Sequence, residues 1–150
     1  MSANQQAVDE GLKNFQSGYN CAQSVLLALY HQIVPNAQND LIPKIASAFG
    51  GGIGRCGSVC GALSGSIMAV GLKYGSNEVD REKLMRLYGH AAKLYKQFEK
   101  EHGTTMCKDL VKYDLSNPEE AAKARQEKVF EKVCVNFLET AITSFLELEK

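Results

Sequence analysis

The sequence lacks the features that mark membrane proteins and nucleic-acid binders. Its longest near-apolar stretch, Val59 to Leu72, is interrupted by glycines and serines and is shorter than the ~20 residues that a membrane span requires. Seventeen basic residues balance seventeen acidic ones, and no Lys/Arg stripe interleaves with aromatic side chains. No pattern of a secretory signal opens the chain. We therefore expect a soluble cytoplasmic protein with no membrane span and no nucleic-acid partner.

Strand patterns and the common site motifs are missing as well. No run alternates apolar and polar residues between turn signals as a half-buried strand does. The chain has neither the CxxC pairs of zinc ribbons and thioredoxin-like proteins nor the CxxCH motif of covalently attached haem. No Ser/His/Asp set, paired catalytic carboxylates or cofactor fingerprint indicates an enzyme class. Whether the protein is an oxidoreductase or an electron carrier is left open by these motifs.

Every segment with a readable hydrophobic period predicts a helix, so we expect an all-α fold, a compact bundle of about five to six helices. The sequence shows no repeat or linker, and residues 1–150 are predicted to form a single helical domain. Asn20 and Gln23 have the spacing of a capping box at the start of the second helix. The last helix is capped by Asn117 and is predicted to run unbroken from Pro118 through Phe145.

Five cysteines in 150 residues are the most informative feature that is present. Cys21, Cys60 and Cys107 are predicted near helix starts, where N–H groups and the helix dipole lower the pKa of a thiol. For each of them the competing interpretation is a small buried residue that fills a helix contact. Cys134 shares a helical stripe with aromatic residues, so periodicity alone places it in the core.

Cys56 and Cys60 form a CxxxC pair. On a helix this spacing would place both sulfurs on one face, one turn apart, where they could share a metal or, with adjustment, form a disulfide. The spacing by itself has weak specificity, because it matches no standard zinc or thioredoxin pattern.

Glycines dominate the sequence on both sides of this pair. Gly57, Gly61 and Gly65 recur every four residues, so a helix that begins near Ser58 would have a bare face for another backbone or a cofactor. The preceding segment 49–55, Phe-Gly-Gly-Gly-Ile-Gly-Arg, has two interpretations. One is an anion-binding loop that uses its N–H groups and Arg55, and the favoured one is a turn that packs beside the thiols.

The motifs together resemble the C_GCAxxG_C_C family of redox-active proteins. The residues that carry the resemblance are, in order, GYNCAQ at 18–23, FGGGIGR at 49–55, CGALSG at 60–65, GLKYG at 71–75, and the single cysteines Cys107 and Cys134. The resemblance implies that Cys21, Cys60, Cys107 and Cys134 are the family cysteines and that Cys56 is an addition. The family is also similar to the non-haem part of split-Soret cytochromes, which implies an iron–sulfur site.

Three functional hypotheses follow. In the leading one, thiolates of Cys21, Cys60, Cys107 and Cys134 hold an iron–sulfur cluster, for example of the 2Fe-2S type, and the protein transfers electrons to a redox partner protein. In the second, no metal is bound, Cys60 or Cys21 attacks a disulfide, and Cys56 resolves the product. In the third, the same thiolates bind zinc and stabilise the fold. A homodimer through the bare glycine face or the last helix is a further expectation.

Overall fold

In the computed structural model, which describes residues 2–148, the fold is built from helices. Within this range there are eight α-helices and no strand, which confirms the all-α class and exceeds the predicted number of helices. They are α1 (Ala3–Gln16), α2 (Cys21–Ile33), α3 (Leu41–Ala46), α4 (Gly61–Tyr74), α5 (Arg81–His102), α6 (Cys107–Val111), α7 (Pro118–Gln126) and α8 (Val135–Leu146). A short 3-10 turn, Ser47–Phe49, extends α3.

Capping residues set the bounds of several helices, as their local sequence predicts. Asn20 accepts a hydrogen bond from the backbone N–H of Gln23, and the Gln23 side chain accepts one from the N–H of Asn20, which confirms the capping box. Asp80 caps α5 by accepting a hydrogen bond from the backbone N–H of Lys83, and Gly103 ends the helix with a left-handed φ of 83°. These bounds need no tertiary contact, because each cap satisfies backbone groups of its own helix.

The core forms where α2, α4 and α8 pack together, with α1 against α2 and α8. Gly65 of α4 and Ala22 of α2 are small and allow the two helices to approach closely. A Cβ added at Gly65 would lie 2.5 Å from the carbonyl oxygen of Ala22. The hydroxyl of Ser66 then donates a hydrogen bond of 3.0 Å to the carbonyl of Ala141, which joins α4 to α8. The largest fully buried side chains are Leu26, Leu29, Leu63, Leu94, Phe98, Leu138 and Ile142.

The fourth helix starts later than predicted, at Gly61 and not near Ser58. Residues 50–59 form a loop, so Cys56 and Cys60 do not lie on one helix face, and the prediction from their spacing is wrong. Five consecutive loop residues, 51–55, have φ between 54° and 69°. Left-handed backbone is ordinary for single glycines, but here it includes Ile53 and Arg55, whose side chains disfavour it.

The long last helix of the prediction is broken. Lys128 has a φ of 54°, which ends α7, and the chain then makes a π-helical turn over Phe130–Cys134 before α8 begins. The hydrophobic period continues across this break, and residues 127–129 include no proline or glycine that would predict it. A π-helical turn contains one residue more than an α-helical one, so it changes the direction in which Cys134 points.

The longest helix, α5, lies largely at the surface. Only Leu94 and Phe98 of its side chains are buried, both in the half that leads to Gly103. Across residues 2–148, none of the helices combines the length and the hydrophobicity needed to cross a membrane.

Candidate functional site

Four of the five cysteines line one small cavity in the core. Cys21, Cys60, Cys107 and Cys134 surround a volume of about 20 Å³, and the remaining walls are apolar. Those walls are formed by Gly61, Ala62, Leu110, Val111, Phe137 and Leu138. The structure thus brings together the four residues that the family resemblance implied, although they span more than a hundred positions of the chain.

Each of the four cysteines lies where a helix begins. Cys21 is the first residue of α2 and Cys107 the first residue of α6. Cys60 precedes the first residue of α4, and Cys134 ends the π-helical turn directly before α8. The starts of α2 and α4 therefore meet at the cavity, where backbone N–H groups of these two helices hydrogen-bond to the sulfurs of Cys21 and Cys60. The first N–H groups of α6 donate to backbone carbonyls instead.

A short stretch of antiparallel backbone pairing holds two of the cysteines side by side. The N–H of Cys60 donates to the carbonyl of Thr105 at 2.8 Å, and the N–H of Cys107 donates to the carbonyl of Ser58 at 2.7 Å. Between these bonds, Val59 and Met106 form an isolated bridge. This pairing fixes the separation of the α4 and α6 starts without any side-chain contact.

The three glycines that were predicted to offer a bare face have different positions. Gly61 borders the cavity, and a Cβ added there would overlap the sulfur of Cys21. Gly65 packs against the backbone of α2, so another helix occupies the space beside it. Gly57 lies in the loop outside α4, with a φ of 74°, and a Cβ there would be 2.8 Å from the Cβ of Lys108. Of the three, Gly61 is the one that lines the cavity.

Burial dominates the electrostatics of the four thiols. Removal from water raises the pKa of Cys21, Cys60 and Cys134, and raises that of Cys107 to about 11. Neighbouring thiols of the set raise the pKa of Cys60, Cys107 and Cys134 further, because two thiolates would repel each other. Hydrogen bonds from backbone N–H groups, such as that of Gly51 to Cys21, act in the opposite direction but are weaker.

The expectation that helix starts lower these pKa values is therefore wrong for the metal-free protein. The N–H groups are present as predicted, but the cost of burying a charge exceeds their effect. Near neutral pH the metal-free site holds uncharged thiols.

Cys56 stands apart from the set. It is exposed, lies in the left-handed loop and does not line the cavity. The histidines are also engaged elsewhere: His31 pairs with Glu10 at 2.7 Å, His102 contacts the hydroxyl of Thr140 at 2.8 Å, and His90 stacks on an aromatic ring. Within residues 2–148, no three or more His, Cys, Asp or Glu side chains are grouped so that they could hold a metal ion.

The glycine loop packs against Cys21 and Cys107 and does not offer a phosphate cradle. The backbone N–H groups of residues 53–58 all donate to carbonyls of residues 48–53. An anion could therefore not use them, which disfavours the anion-binding interpretation of this loop. The loop packs closely against the start of α6 because Gly52 has no side chain: a Cβ there would lie 2.7 Å from the Cβ of Cys107.

A larger groove adjoins the small cavity and shares three of its cysteines. It has a volume of about 640 Å³ and contains Cys21, Cys107 and Cys134 together with Arg55 and Arg125. Sequence reasoning missed Arg125, because it lies on an exposed helix face next to other charged residues. Only the fold, which turns the end of α7 toward the glycine loop, brings it near Arg55.

Comparisons with known proteins identify the family of this chain. A protein of Archaeoglobus fulgidus, described only as uncharacterized, is 33% identical over 115 residues, and the match covers 71% of this chain and 76% of the relative. No solved structure matches the chain significantly. The family model described as "Putative redox-active protein (C_GCAxxG_C_C)" matches residues 19–148, a range that includes all four cysteines of the cavity. The chain therefore belongs to the C_GCAxxG_C_C family.

Proposed function

We propose that this protein transfers electrons through an iron–sulfur cluster held by the thiolates of Cys21, Cys60, Cys107 and Cys134. The observation that carries the proposal is that these four sulfurs, and not that of Cys56, surround one cavity in the core. Four cysteines are the usual ligand set of a protein-bound cluster. When bound, such a cluster supplies a centre that accepts and releases one electron at a time.

The donor set and its surroundings fit this group. Cys21 and Cys60 lie at the starts of separate helices, and backbone N–H groups there can hydrogen-bond to their thiolate sulfurs. Gly61 has no side chain, and a Cβ at that position would fill the space beside the sulfur of Cys21. The apolar walls limit the access of water, which is one of the factors that set a reduction potential.

Space for the cluster has to come from the groove. A cavity of about 20 Å³ holds roughly one water molecule, which is less than a cluster needs. Because the groove of about 640 Å³ shares Cys21, Cys107 and Cys134 with the cavity, rotation of these side chains opens the site toward the groove. The proposal therefore puts the metal centre where cavity and groove meet.

A structural zinc site is less well supported. Zinc requires four sulfurs at about 2.3 Å from one point. In the part of the chain that the structure describes, the cysteines are not grouped for a single ion. A cluster distributes its ligands over more than one iron, so it tolerates sulfurs that are farther apart.

Metal-free thiol exchange is also less well supported. Attack on a disulfide requires an accessible thiolate, whereas Cys60 is buried and burial raises its pKa. Cys56, the proposed resolving thiol, is exposed in the loop and is not among the residues that surround the cavity.

Metal and sulfide analysis of oxygen-free protein tests the proposal. We expect iron and acid-labile sulfide in equal amounts, charge-transfer absorption in the visible range, and an electron paramagnetic resonance signal after reduction with dithionite. Tightly bound zinc in colourless protein would support the structural alternative. Protein that contains neither iron nor sulfide, even after reconstitution, would overturn the proposal.

The cellular setting is part of the proposal. All five cysteines are free thiols, which suits the reducing cytoplasm and a redox partner protein that exchanges electrons there.

The homodimer stays a prediction. Because α2 covers Gly65 on α4, a second copy would have to pack on another surface. A light-scattering mass of one chain at working concentration would contradict the dimer.

A further inference from the structure

The groove beside the cysteines has the dimensions of a ligand site. Its volume of about 640 Å³ lies within the range of small-molecule pockets, which is roughly 300–1,000 Å³. Apolar side chains, among them Phe15, Leu115 and Phe130, form much of its wall. Three of the site cysteines line it, so a molecule bound there would lie next to the proposed redox centre.

The charge of the groove has one sign. Arg55 and Arg125 line it, and no Asp or Glu is among the residues 2–148 that do so. In this described range, neither guanidinium group makes an ion pair or a side-chain hydrogen bond. The carboxylate of Glu131 raises the pKa of Cys134, but Glu131 is not part of the groove wall.

The glycine loop fixes the position of one of these arginines. Arg55 has a left-handed φ of 67°, and its side chain lies against Gly51, where a Cβ would be 2.8 Å from the Cγ of Arg55. The loop amides that follow are consumed by hydrogen bonds within the loop. Among the residues that line this groove, Arg55 and Arg125 are the charged donors, and guanidinium groups form strong bidentate hydrogen bonds with carboxylate and phosphate.

We propose that this groove binds a small organic anion, with its carboxylate or phosphate on Arg55 and Arg125 and its apolar part against the groove wall beside the cysteines. Binding itself does not require a cluster. Only the interpretation of the ligand as a reaction partner of the redox centre rests on the proposed function.

Calorimetric titration of the protein as isolated tests the proposal with three probes of similar shape. Benzoate and phenyl phosphate carry the anion on an aromatic ring, and benzyl alcohol is their neutral counterpart. We expect saturable binding of both anions and at least about tenfold weaker binding of benzyl alcohol, because charge-assisted hydrogen bonds are lost. Tighter binding of phenyl phosphate would identify phosphate esters as the ligand class, and tighter binding of benzoate would identify carboxylates.

Substitutions at the surface locate the site. Arg55→Gln and Arg125→Gln should each weaken binding of benzoate about tenfold. Arg86→Gln removes an equally exposed cation on α5, outside the groove, and should leave binding unchanged. Equal binding of benzoate and benzyl alcohol, an equal effect of all three substitutions, or no saturable binding of either anion would overturn the proposal.

The outcomes separate this inference from the proposed function. Iron content does not enter the titration, so anion binding by a protein that lacks iron would leave the groove proposal intact and remove the cluster. A protein that contains a cluster but binds none of the probes would leave the proposed function intact and remove the groove proposal.

Discussion

Cys56 and Cys60 are four residues apart and lie in two different regions of the molecule. Cys60 is 4% exposed, at the start of α4, and shares its cavity with three other thiols. Cys56 is exposed in the loop that forms one wall of the groove. The difference shows that a spacing which suits one helix face has no meaning once the backbone between the two residues is not helical.

The backbone of the loop is the physical origin of this difference. A run of left-handed residues folds segment 51–55 onto itself, and most of the hydrogen bonds in the loop span five or six residues instead of four. The chain then becomes extended at Val59, pairs with Met106 and enters α4. Cys60 is therefore placed by contacts with a distant segment, while Cys56 remains on the outer side of the loop.

The largest expected difference between the two cysteines is in metal content. Cys60→Ser should lose most of the bound iron and sulfide, because a serine hydroxyl is a poor substitute for a thiolate ligand. Cys56→Ser should retain the full amount. Metal and sulfide analysis of both variants, prepared without oxygen, measures the difference. Equal loss in both variants would show that Cys56 belongs to the set.

The packing of α4 offers a second comparison, between its covered and its open side. A methyl group at Gly65 would lie 2.5 Å from the backbone oxygen of Ala22, so Gly65→Ala should reduce the free energy of unfolding by about 2–3 kcal/mol. Gly71 has open space around it, and Gly71→Ala should raise that free energy by about 0.5–1 kcal/mol. Urea denaturation of both variants measures the changes. Changes of the same sign would contradict the close contact of α2 and α4.

The buried thiols of the site should link stability to pH. The pKa of Cys107 rises from an ordinary value of 9.0 to about 11 in the folded protein. Its contribution to stability is therefore complete below pH 9 and is lost as the pH rises from 9 to 11, where the unfolded chain has already lost the proton. We expect Cys107 alone to remove a few kcal/mol of unfolding free energy from the metal-free protein over this range.

A substitution tests the origin of this loss. Cys107→Ala should make the dependence of the unfolding free energy on pH between 9 and 11 less steep, and the part that remains belongs to the other three buried thiols. Denaturant titrations at several pH values provide the measurement. A pH dependence that persists undiminished in Cys107→Ala would show that other groups cause it.

The smallest expected effect concerns the loop itself. Ile53 has a φ of 66°, which costs an L-residue roughly 1–2 kcal/mol, and its side chain is 45% exposed. Ile53→Gly should therefore raise the free energy of unfolding by about 0.5 kcal/mol, after the entropy cost of glycine is subtracted. Gly54→Ala, at a φ of 54°, should lower it by about 1 kcal/mol. Thermal melting of the two variants should show shifts of opposite sign, and a lower melting temperature for Ile53→Gly would mean that the loop is not strained there.

The sequence by itself determined the helical class, the bounds of α1, the capping box of α2 and both ends of α5. These features follow from interactions within a few residues, since hydrophobic periods and caps act locally. The four cysteines of the site were singled out through the family resemblance, and for Cys134 periodicity alone indicated only burial. In the structure Cys134 is buried and also lines the cavity, because the cavity itself lies in the core.

Only the tertiary structure decided the rest. The left-handed backbone of Ile53 and Arg55, the break at Lys128 and the position of Arg55 and Arg125 on one groove leave no local pattern in the sequence. The pKa values of Cys21, Cys60 and Cys107 were misjudged for the same reason: a helix start is a local feature, but burial is not. Where the two compete, the cost of removing a charge from water outweighs the stabilisation by the helix start, and that cost is set by the whole fold.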